Sequence, residues 1–184
     1  MTRRGLIWTV GHSTLSAEEF IALLAPRRIE LIADVRRFPA SRRHPQFNRD
    51  ALAAALARSG IVYLHLPQLG GRREPLADSQ NTGWRETGFR GYADHMESQA
   101  FSEAMARLCA MAAGKRTTVM CAEKNWHACH RGLMSDYLKV RGMEVVHILD
   151  ATGTEPHPYT KPARIRDGLL SYAAEAPPQS LLDL

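Results

Sequence analysis

The stretch Thr117–Leu149, TTVMCAEKNWHACHRGLMSDYLKVRGMEVVHIL, decides the fold because it contains a strand, a helix and a second strand in succession. Thr117–Cys121 and Glu144–Leu149 are short, apolar and rich in β-branched residues, which is typical of buried strands. The residues from Cys129 to Arg141 predict a helix that Gly142 ends. A strand–helix–strand unit of this kind predicts parallel strands joined by a right-handed crossover.

The same alternation of strands and helices extends toward the N-terminus. Three further apolar runs predict strands over Gly5–Val10, Ile29–Val35 and Ile61–Leu66. Ser16 and Glu19 form a capping-box pattern at the start of one helix, and Asn48 caps a second helix that runs through Arg58. A third helix is predicted over Gly91–Ala113.

This order of elements predicts an α/β fold of three layers, with a mainly parallel five-stranded sheet and helices on both faces. Two short runs around Asp167-Gly168 predict a C-terminal hairpin within Ala163–Tyr172. The length of 184 residues suits one domain. We expect a single domain over 1–184, with its core over about 6–172 and a loose tail over 173–184 that contains Pro177-Pro178.

The composition excludes several classes of protein. No apolar stretch approaches the roughly 18–20 residues that a membrane helix needs, so no membrane partner is expected. The basic N-terminus, Met1–Arg4, is not followed by the long apolar region of a signal peptide, which favours a cytoplasmic location. Three cysteines are too few for a disulfide framework and favour reduced thiols.

The chain is basic, with a net charge of +5 and a pI near 9.4. Only four of its 24 basic residues are lysines, at 115, 124, 139 and 161, and the others are arginines. Arginine has a planar fork that binds phosphate or carboxylate at two points, whereas a GC-rich genome would also favour arginine codons. Either way, a positive field favours anionic partners, whether small molecules or nucleic acid.

Polar groups follow every predicted strand. In open α/β sheets, ligands bind outside the carboxyl ends of the strands, so we expect these groups to converge on one crevice. In strand order they are Gly11, His12, Ser13 and Thr14; Asp34, Arg36, Ser41 and Arg42; His65, Gly70 and Gly71; Cys121, Glu123, Cys129, His130 and Arg131; and His147 and Asp150.

The groups after the first two strands each have two interpretations. Gly11-His12-Ser13 precedes a helix and suits a bound phosphate or carboxylate, or else the helix is simply capped by Thr14 or Ser16. Asp34 acts as a general base or orients a histidine, or else it forms a buried ion pair with an arginine.

The basic loop after the second strand suits an anionic substrate. Arg36, Arg42 and Arg43 would clamp that substrate, whereas Arg37 would be solvated. The long polar loop over 67–90 is functional or disordered, and the segment around His157 folds over the crevice.

Cys129 carries the most specific chemistry, because it lies near a helix start beside His130 and Arg131. This setting lowers the pKa of a thiol and predicts a nucleophile, with Glu123 as acid or base. Cys121 is a second candidate for the site, or else a small core residue. A phosphatase-type loop is excluded because no arginine follows either cysteine by six positions. A zinc site is the rival interpretation, although its spacing lacks paired C-x-x-C motifs, and no metal ligand is assigned.

Six motifs follow one another along the chain. They are Thr9-Val10-Gly11-His12-Ser13-Thr14, Asp34-Val35-Arg36 with Pro39-x-Ser41-Arg42, Leu69-Gly70-Gly71, Phe89-x-Gly91-Tyr92-x-x-x-Met96, Cys121-Ala122-Glu123 with Cys129-His130-Arg131, and His157-Pro158-x-Thr160. Together these motifs resemble one family, DUF488, over roughly residues 6–172. The family is one of unknown function, so the resemblance implies a fold and a site but no reaction. The resemblance adds Tyr92, His157 and Thr160 to the candidate site residues.

Three functions are compatible with these residues. The first is an enzyme that acts on a phosphate-bearing substrate, a nucleotide or nucleic acid, with Asp34, Glu123, Cys129 and His130 as its catalytic groups. The second is a nucleotide- or nucleic-acid-binding module without turnover. The third is a zinc-stabilised interaction protein. The sequence identifies no cofactor and no oligomeric state.

Overall fold

A computed structural model describes residues 5–174 of the chain. Met1–Arg4 and residues 175–184, which include Pro177-Pro178 and most of the expected tail, lie outside the described residues. The strands are β1 (Leu6–Gly11), β2 (Leu31–Asp34), β3 (Val62–His65), β4 (Thr117–Cys121), β5 (Glu144–Ile148), β6 (Thr154–Pro156), β7 (Arg164–Arg166) and β8 (Leu169–Ser171). The α-helices are α1 (Ala17–Leu24), α2 (Arg49–Arg58), α3 (Thr87–Met96), α4 (Gln99–Gly114) and α5 (Arg131–Val140).

The main sheet has the strand order β3-β2-β4-β1-β5-β6. Strands β1 to β5 are parallel, as predicted, and the sheet has a sixth strand, β6, that pairs antiparallel with β5. The sequence did not predict β6 because it has only three residues and includes Pro156, which is tolerated at the edge of a sheet.

Alternating residues of the strands face two separate cores. Ile7 and Val119 pack with α3, α4 and α5, whereas Val10 and Met120 pack with α1 and α2 on the opposite face. The predicted three-layer α/β architecture is therefore confirmed. All helices within residues 5–174 fall short of the length and apolar character that a membrane crossing requires.

The helix predicted over Gly91–Ala113 is in fact two helices. The first, α3, begins at Thr87, inside the predicted loop, and ends at Met96. The side chain of Ser98 then caps α4, because its hydroxyl accepts a hydrogen bond from the backbone N–H of Phe101 over 3.3 Å. A single serine between two helical segments is only weak evidence for a helix boundary, and the sequence therefore predicted one helix instead of two.

The predicted C-terminal hairpin is confirmed as β7 and β8. Its turn residues Asp167 and Gly168 have φ values of 50° and 76°. Two successive left-handed residues are the geometry of a type I′ turn, which Asp-Gly sequences favour.

Candidate functional site

The carboxyl ends of β1, β2 and β4 lie side by side. Gly11 pairs with Cys121, and Asp34 pairs with Met120. The residues that follow these strands therefore leave the sheet at the same edge. Side chains that are distant in sequence come into contact there.

A cavity of about 420 Å³ lies at this edge of the sheet. Arg72 on its wall has a φ of 59°, and Arg37 donates from Nη1 to the Arg72 carbonyl over 2.9 Å. Left-handed conformations are uncommon for residues other than glycine and cluster at functional sites. The lining residues are Arg36, Arg37, Phe38, Ala40, Gly71, Arg72, Glu86, Gly88, Phe89, Cys121, Ala122, Glu123, Ala128, Cys129 and His130.

Cys129 lies two residues before α5, as expected, and only 3% of it is exposed. Arg131 donates from Nε to Cys129 Sγ over 3.4 Å, and His130 Nδ1 lies 3.7 Å from the same sulfur. Arg131 is itself 1% exposed. A buried guanidinium that points at a buried thiol favours the thiolate form.

The pKa values of the two cavity cysteines are shifted in opposite directions. Burial raises the pKa of Cys129, but the hydrogen bond from Cys121 and the charges of His130 and Arg131 lower it more, to well below its usual value. The pKa of Cys121 is raised well above its usual value, because its thiol bonds to Cys129 and is buried. Of the two cysteines, Cys129 therefore forms a thiolate more readily.

His130 is held between two neighbours. Its ring centroid lies 4.9 Å from that of Tyr92, and a methyl group added at Gly71 would come within 2.8 Å of Nδ1. Its Nε2 is buried and has no hydrogen-bond partner within the described part of the chain. A buried ring nitrogen without a partner is costly, which is more common at a functional site than in a core.

Glu123 is exposed on the cavity wall, and its backbone is fixed by two contacts. Its carbonyl accepts a hydrogen bond from Arg131 Nη2, and Lys124 O accepts another from the same nitrogen over 3.2 Å. A Cβ at Gly11 would lie 1.8 Å from Glu123 O, so only glycine permits this approach. These contacts hold the loop that carries Glu123 at the cavity wall.

Every side-chain nitrogen of Arg131 has a partner within the protein. Nε faces Cys129, Nη1 donates to Thr9 Oγ1 over 3.3 Å, and Nη2 holds the loop at 123–124. Arg131, which the sequence predicts to bind substrate, thus contacts the cavity cysteine.

Asp34 forms a buried ion pair with Arg36, which is the second of its two sequence interpretations. Arg36 donates from Nε and Nη2 to the two carboxylate oxygens over 2.9 and 2.6 Å. Tyr63 donates to the same carboxylate over 2.6 Å. Asp34 is completely buried, whereas its partner Arg36 also lines the cavity.

His12 lies behind this ion pair and is 4% exposed. Its Nε2 is 3.2 Å from Arg36 Nη1, and its ring stacks on Phe47 with centroids 4.0 Å apart. Burial and the nearby Arg36 charge lower the pKa of His12 to about 4. His12 is therefore a neutral acceptor for Arg36.

The expected anion site at Gly11-His12-Ser13 has no free backbone donors at its centre. The N–H groups of His12 and Ser13 donate to Cys121 O and Ala122 O, each over 2.9 Å. The following helix is closed by a capping box between Ser16 and Glu19. The capping interpretation is therefore the one that the structure favours.

The other predicted binding residues differ in their relation to the cavity. The hydroxyl of buried Tyr92 donates to Leu69 O over 2.8 Å, and a Cβ at Gly70 would lie 2.8 Å from the Arg37 backbone. The Ser41 hydroxyl accepts from His44 N over 3.0 Å. Arg42 is exposed and lies outside the cavity lining, whereas Arg37, which was expected to be only solvated, is part of it.

His157 and Thr160 do not line the cavity and instead contact one buried carboxylate, Asp136. His157 Nε2 lies 2.9 Å from Asp136 Oδ1, and both the backbone N–H and the hydroxyl of Thr160 donate to Asp136. Asp136 was not among the sequence candidates. Its only signal was a carboxylate on the buried face of a predicted helix.

Three donor atoms in the cavity suit a soft metal ion. One ligand atom from each of Cys121, Cys129 and His130 lies within 4.8 Å of the others. Two thiolates and an imidazole are zinc-type ligands. The positive charge of Arg131, bonded to Cys129, opposes a cation at this position.

The fold and the cavity define an α/β protein with a thiol-lined cavity at the carboxyl edge of a parallel sheet. The family model of DUF488, a domain of unknown function, matches residues 16–138, and the chain belongs to this family. The matched range includes both cavity cysteines but not Gly11-His12-Ser13 or His157. Comparison with curated proteins and with solved structures gave no match.

Proposed function

We propose that the protein is a cysteine-dependent enzyme that acts on an anionic, phosphate-bearing substrate. The observation that carries the proposal is the position of Cys129 Sγ on the cavity wall, bonded to the buried guanidinium of Arg131. A thiolate in this setting is a nucleophile at neutral pH.

Charge on the same wall supports an anionic substrate. Arg37 and Arg72 are exposed and line the cavity, and neither forms an ion pair within residues 5–174. Guanidinium groups bind phosphate at two points. The exposed ring of Phe38 and the half-buried ring of Phe89 give the cavity an apolar wall that suits a planar base, which favours a nucleotide.

The groups around Cys129 suit covalent catalysis. The thiolate attacks an electrophilic centre of the substrate and forms a bond from sulfur, while the leaving group departs with its electron pair. The leaving group takes its proton from solvent. The exposed Glu123 carboxylate then accepts a proton from a water molecule, and that water hydrolyses the intermediate and restores the thiolate. Asp34, which was a candidate base from sequence, has no part in this scheme because its carboxylate is paired with Arg36.

Protection of Cys129 from alkylation tests the anion site. Inorganic pyrophosphate is expected to slow modification of Cys129 by iodoacetamide, and Arg72→Ala is expected to remove that protection. Arg43→Ala is the matched control, because Arg43 is an exposed arginine outside the cavity lining. Equal modification rates with and without pyrophosphate would contradict an anion site at this cavity.

Turnover of phosphoesters and nucleotides tests the role of Cys129. Cys129→Ser is expected to abolish any activity found. Cys109 is a half-buried residue of α4, and Cys109→Ser is expected to retain the activity. Retention of full activity by Cys129→Ser would overturn the nucleophile.

A binding module for nucleic acid is a second candidate, favoured by the exposed arginines at 37, 42 and 43. Electrostatic binding to duplex weakens with salt by about 0.9 log units per phosphate contacted for each log unit of salt. Salt-dependent binding that Cys129→Ser leaves unchanged, without turnover, would favour this candidate over the enzyme.

A zinc site is the third candidate and rests on the Cys121, Cys129 and His130 cluster. Metal analysis of the purified protein tests it directly. Stoichiometric zinc that Cys121→Ser removes would favour this candidate over the free thiolate.

A further inference from the structure

A chain of buried polar side chains begins at Asp136 on α5. His157 Nε2 lies 2.9 Å from Asp136 Oδ1, and His147 Nε2 lies 2.8 Å from His157 Nδ1. His147 Nδ1 lies 2.7 Å from Thr9 Oγ1. All four residues are at most 2% exposed, so their hydrogen bonds are shielded from solvent.

The chain continues from Thr9 to the cavity cysteine. Arg131 donates from Nη1 to Thr9 Oγ1 over 3.3 Å and from Nε to Cys129 Sγ over 3.4 Å. Five hydrogen bonds therefore connect the Asp136 carboxylate to the Cys129 sulfur.

With both imidazoles neutral, these contacts allow one direction of donation. An ionised carboxylate accepts only, so His157 donates from Nε2 and its Nδ1 must accept from His147 Nε2. His147 Nδ1 then accepts from the Thr9 hydroxyl, which leaves a Thr9 lone pair for Arg131. Burial and the positive charge of Arg131 lower the pKa of His147 to about 2, which is consistent with a neutral ring.

The Asp136 end of this hydrogen-bonded series is fixed, because its carboxylate accepts four hydrogen bonds. Asp136 Oδ1 accepts from His157 and from the backbone N–H of Thr160, and Oδ2 accepts from the hydroxyls of Thr160 and Tyr172. With four donors on two oxygens, neither oxygen can change role without loss of a buried hydrogen bond. Trp126 stacks on His147 with centroids 4.3 Å apart and keeps that ring in place.

We propose that Asp136, His157, His147 and Thr9 are positioning residues that hold Arg131 against the Cys129 thiolate. The inference rests on the proposed thiolate role of Cys129 but not on any substrate. Without the Asp136 carboxylate, the direction of donation along these hydrogen bonds is no longer fixed. The Thr9 hydrogen then competes for the position that the Arg131 N–H occupies.

Two buried threonines give a matched test. Thr9→Val removes a hydroxyl bonded to Arg131 and His147, whereas Thr118→Val removes a buried hydroxyl that has no partner within the described residues. The apparent pKa of Cys129 is measured from the pH dependence of its iodoacetamide modification, followed by mass spectrometry of the Cys129 peptide. The titratable and charged groups that face Cys129 are Cys121, His130, Arg131, Tyr92 and His147.

Thr9→Val is expected to raise that apparent pKa by about one unit, a tenfold change in the thiolate equilibrium. Thr118→Val is expected to leave it unchanged, and Thr9→Ser, which keeps the hydroxyl, is expected to restore it. Equal pKa values for Thr9→Val and Thr118→Val would overturn the inference.

Asp136→Asn is a second variant, expected to raise the Cys129 pKa in the same direction. If Asp136→Asn does not fold, the comparison of Thr9→Val with Thr118→Val still tests the inference. The alkylation measurements contain no substrate, so failure of pyrophosphate protection or of turnover would count against the proposed function and leave this inference standing.

Discussion

The backbone of Gly71 lies so close to the imidazole of His130 that a Cβ at residue 71 would be 2.8 Å from Nδ1. That nitrogen is in turn 3.7 Å from Cys129 Sγ. The loop after β3 therefore sets the orientation of a ring attached to α5, and through it the surroundings of the thiol.

Gly71→Ala is expected to raise the apparent pKa of Cys129 by about one unit, because the added methyl displaces the His130 ring from the sulfur. The pH dependence of iodoacetamide modification measures this pKa. Gly88→Ala is the control, since Gly88 lines the same cavity and a Cβ there meets no atom within 4 Å. Equal pKa values for the two variants would show that the His130 orientation does not affect the thiol.

The three cysteines are expected to react with iodoacetamide in a fixed order, with Cys129 first. A thiolate exists above its pKa, so a lowered pKa keeps Cys129 reactive below neutral pH. Burial raises the pKa of Cys109, and Cys121 is raised further by its bond to Cys129, so both need more alkaline solution. Peptide mass spectrometry at several pH values measures the order, and earlier modification of Cys109 would contradict it.

Asp34→Asn is expected to lower the free energy of unfolding by about 3–5 kcal/mol, because it leaves the Arg36 guanidinium buried without its partner. Tyr63→Phe removes one hydrogen bond to the same carboxylate and is expected to cost about 1–2 kcal/mol. Urea denaturation compares the two variants. A fully stable Asp34→Asn protein would argue against a structural ion pair and return Asp34 to the list of catalytic candidates.

The protein is expected to lose stability as the pH falls from about 6.5 to about 4, partly because of His12. Its pKa in the folded state lies below the unfolded value, so the unfolded state binds the proton first and stability falls through this window. The contribution is on the order of 2–3 kcal/mol. His12→Gln removes it, so the urea midpoint of the variant is expected to change less between pH 7 and pH 4.5. Some acid sensitivity remains, because the pKa of His147 is also lowered.

The parallel sheet was predictable because each strand carries its own local signal. Thr117–Cys121 has the same bounds in the sequence prediction and in the structure. The edge strand β6 was not predictable, since three residues with a proline have no recognisable period. The boundary between α3 and α4 was not predictable either, because its only local signal is the capping residue Ser98.

The candidate site was predictable in its location more than in its roles. Cys121, Glu123, Cys129 and His130 do share one cavity wall. The partners of each arginine were not predictable, because Arg36 is paired by Asp34 while Arg37 is left on the cavity wall. Asp136 was missed because its four donors come from residues 21 to 36 positions away along the chain.

Every donor to Asp136 belongs to the segment that follows β5, at His157, Thr160 and Tyr172. During synthesis that segment leaves the ribosome after the five parallel strands and α5. Until it docks, the nascent chain carries a carboxylate on the inner face of α5 with none of these hydrogen bonds, which opposes burial of that helix face. The surroundings of Cys129 are therefore completed only after the parallel sheet and α5 have been synthesised, when the segment at 157–172 docks against them.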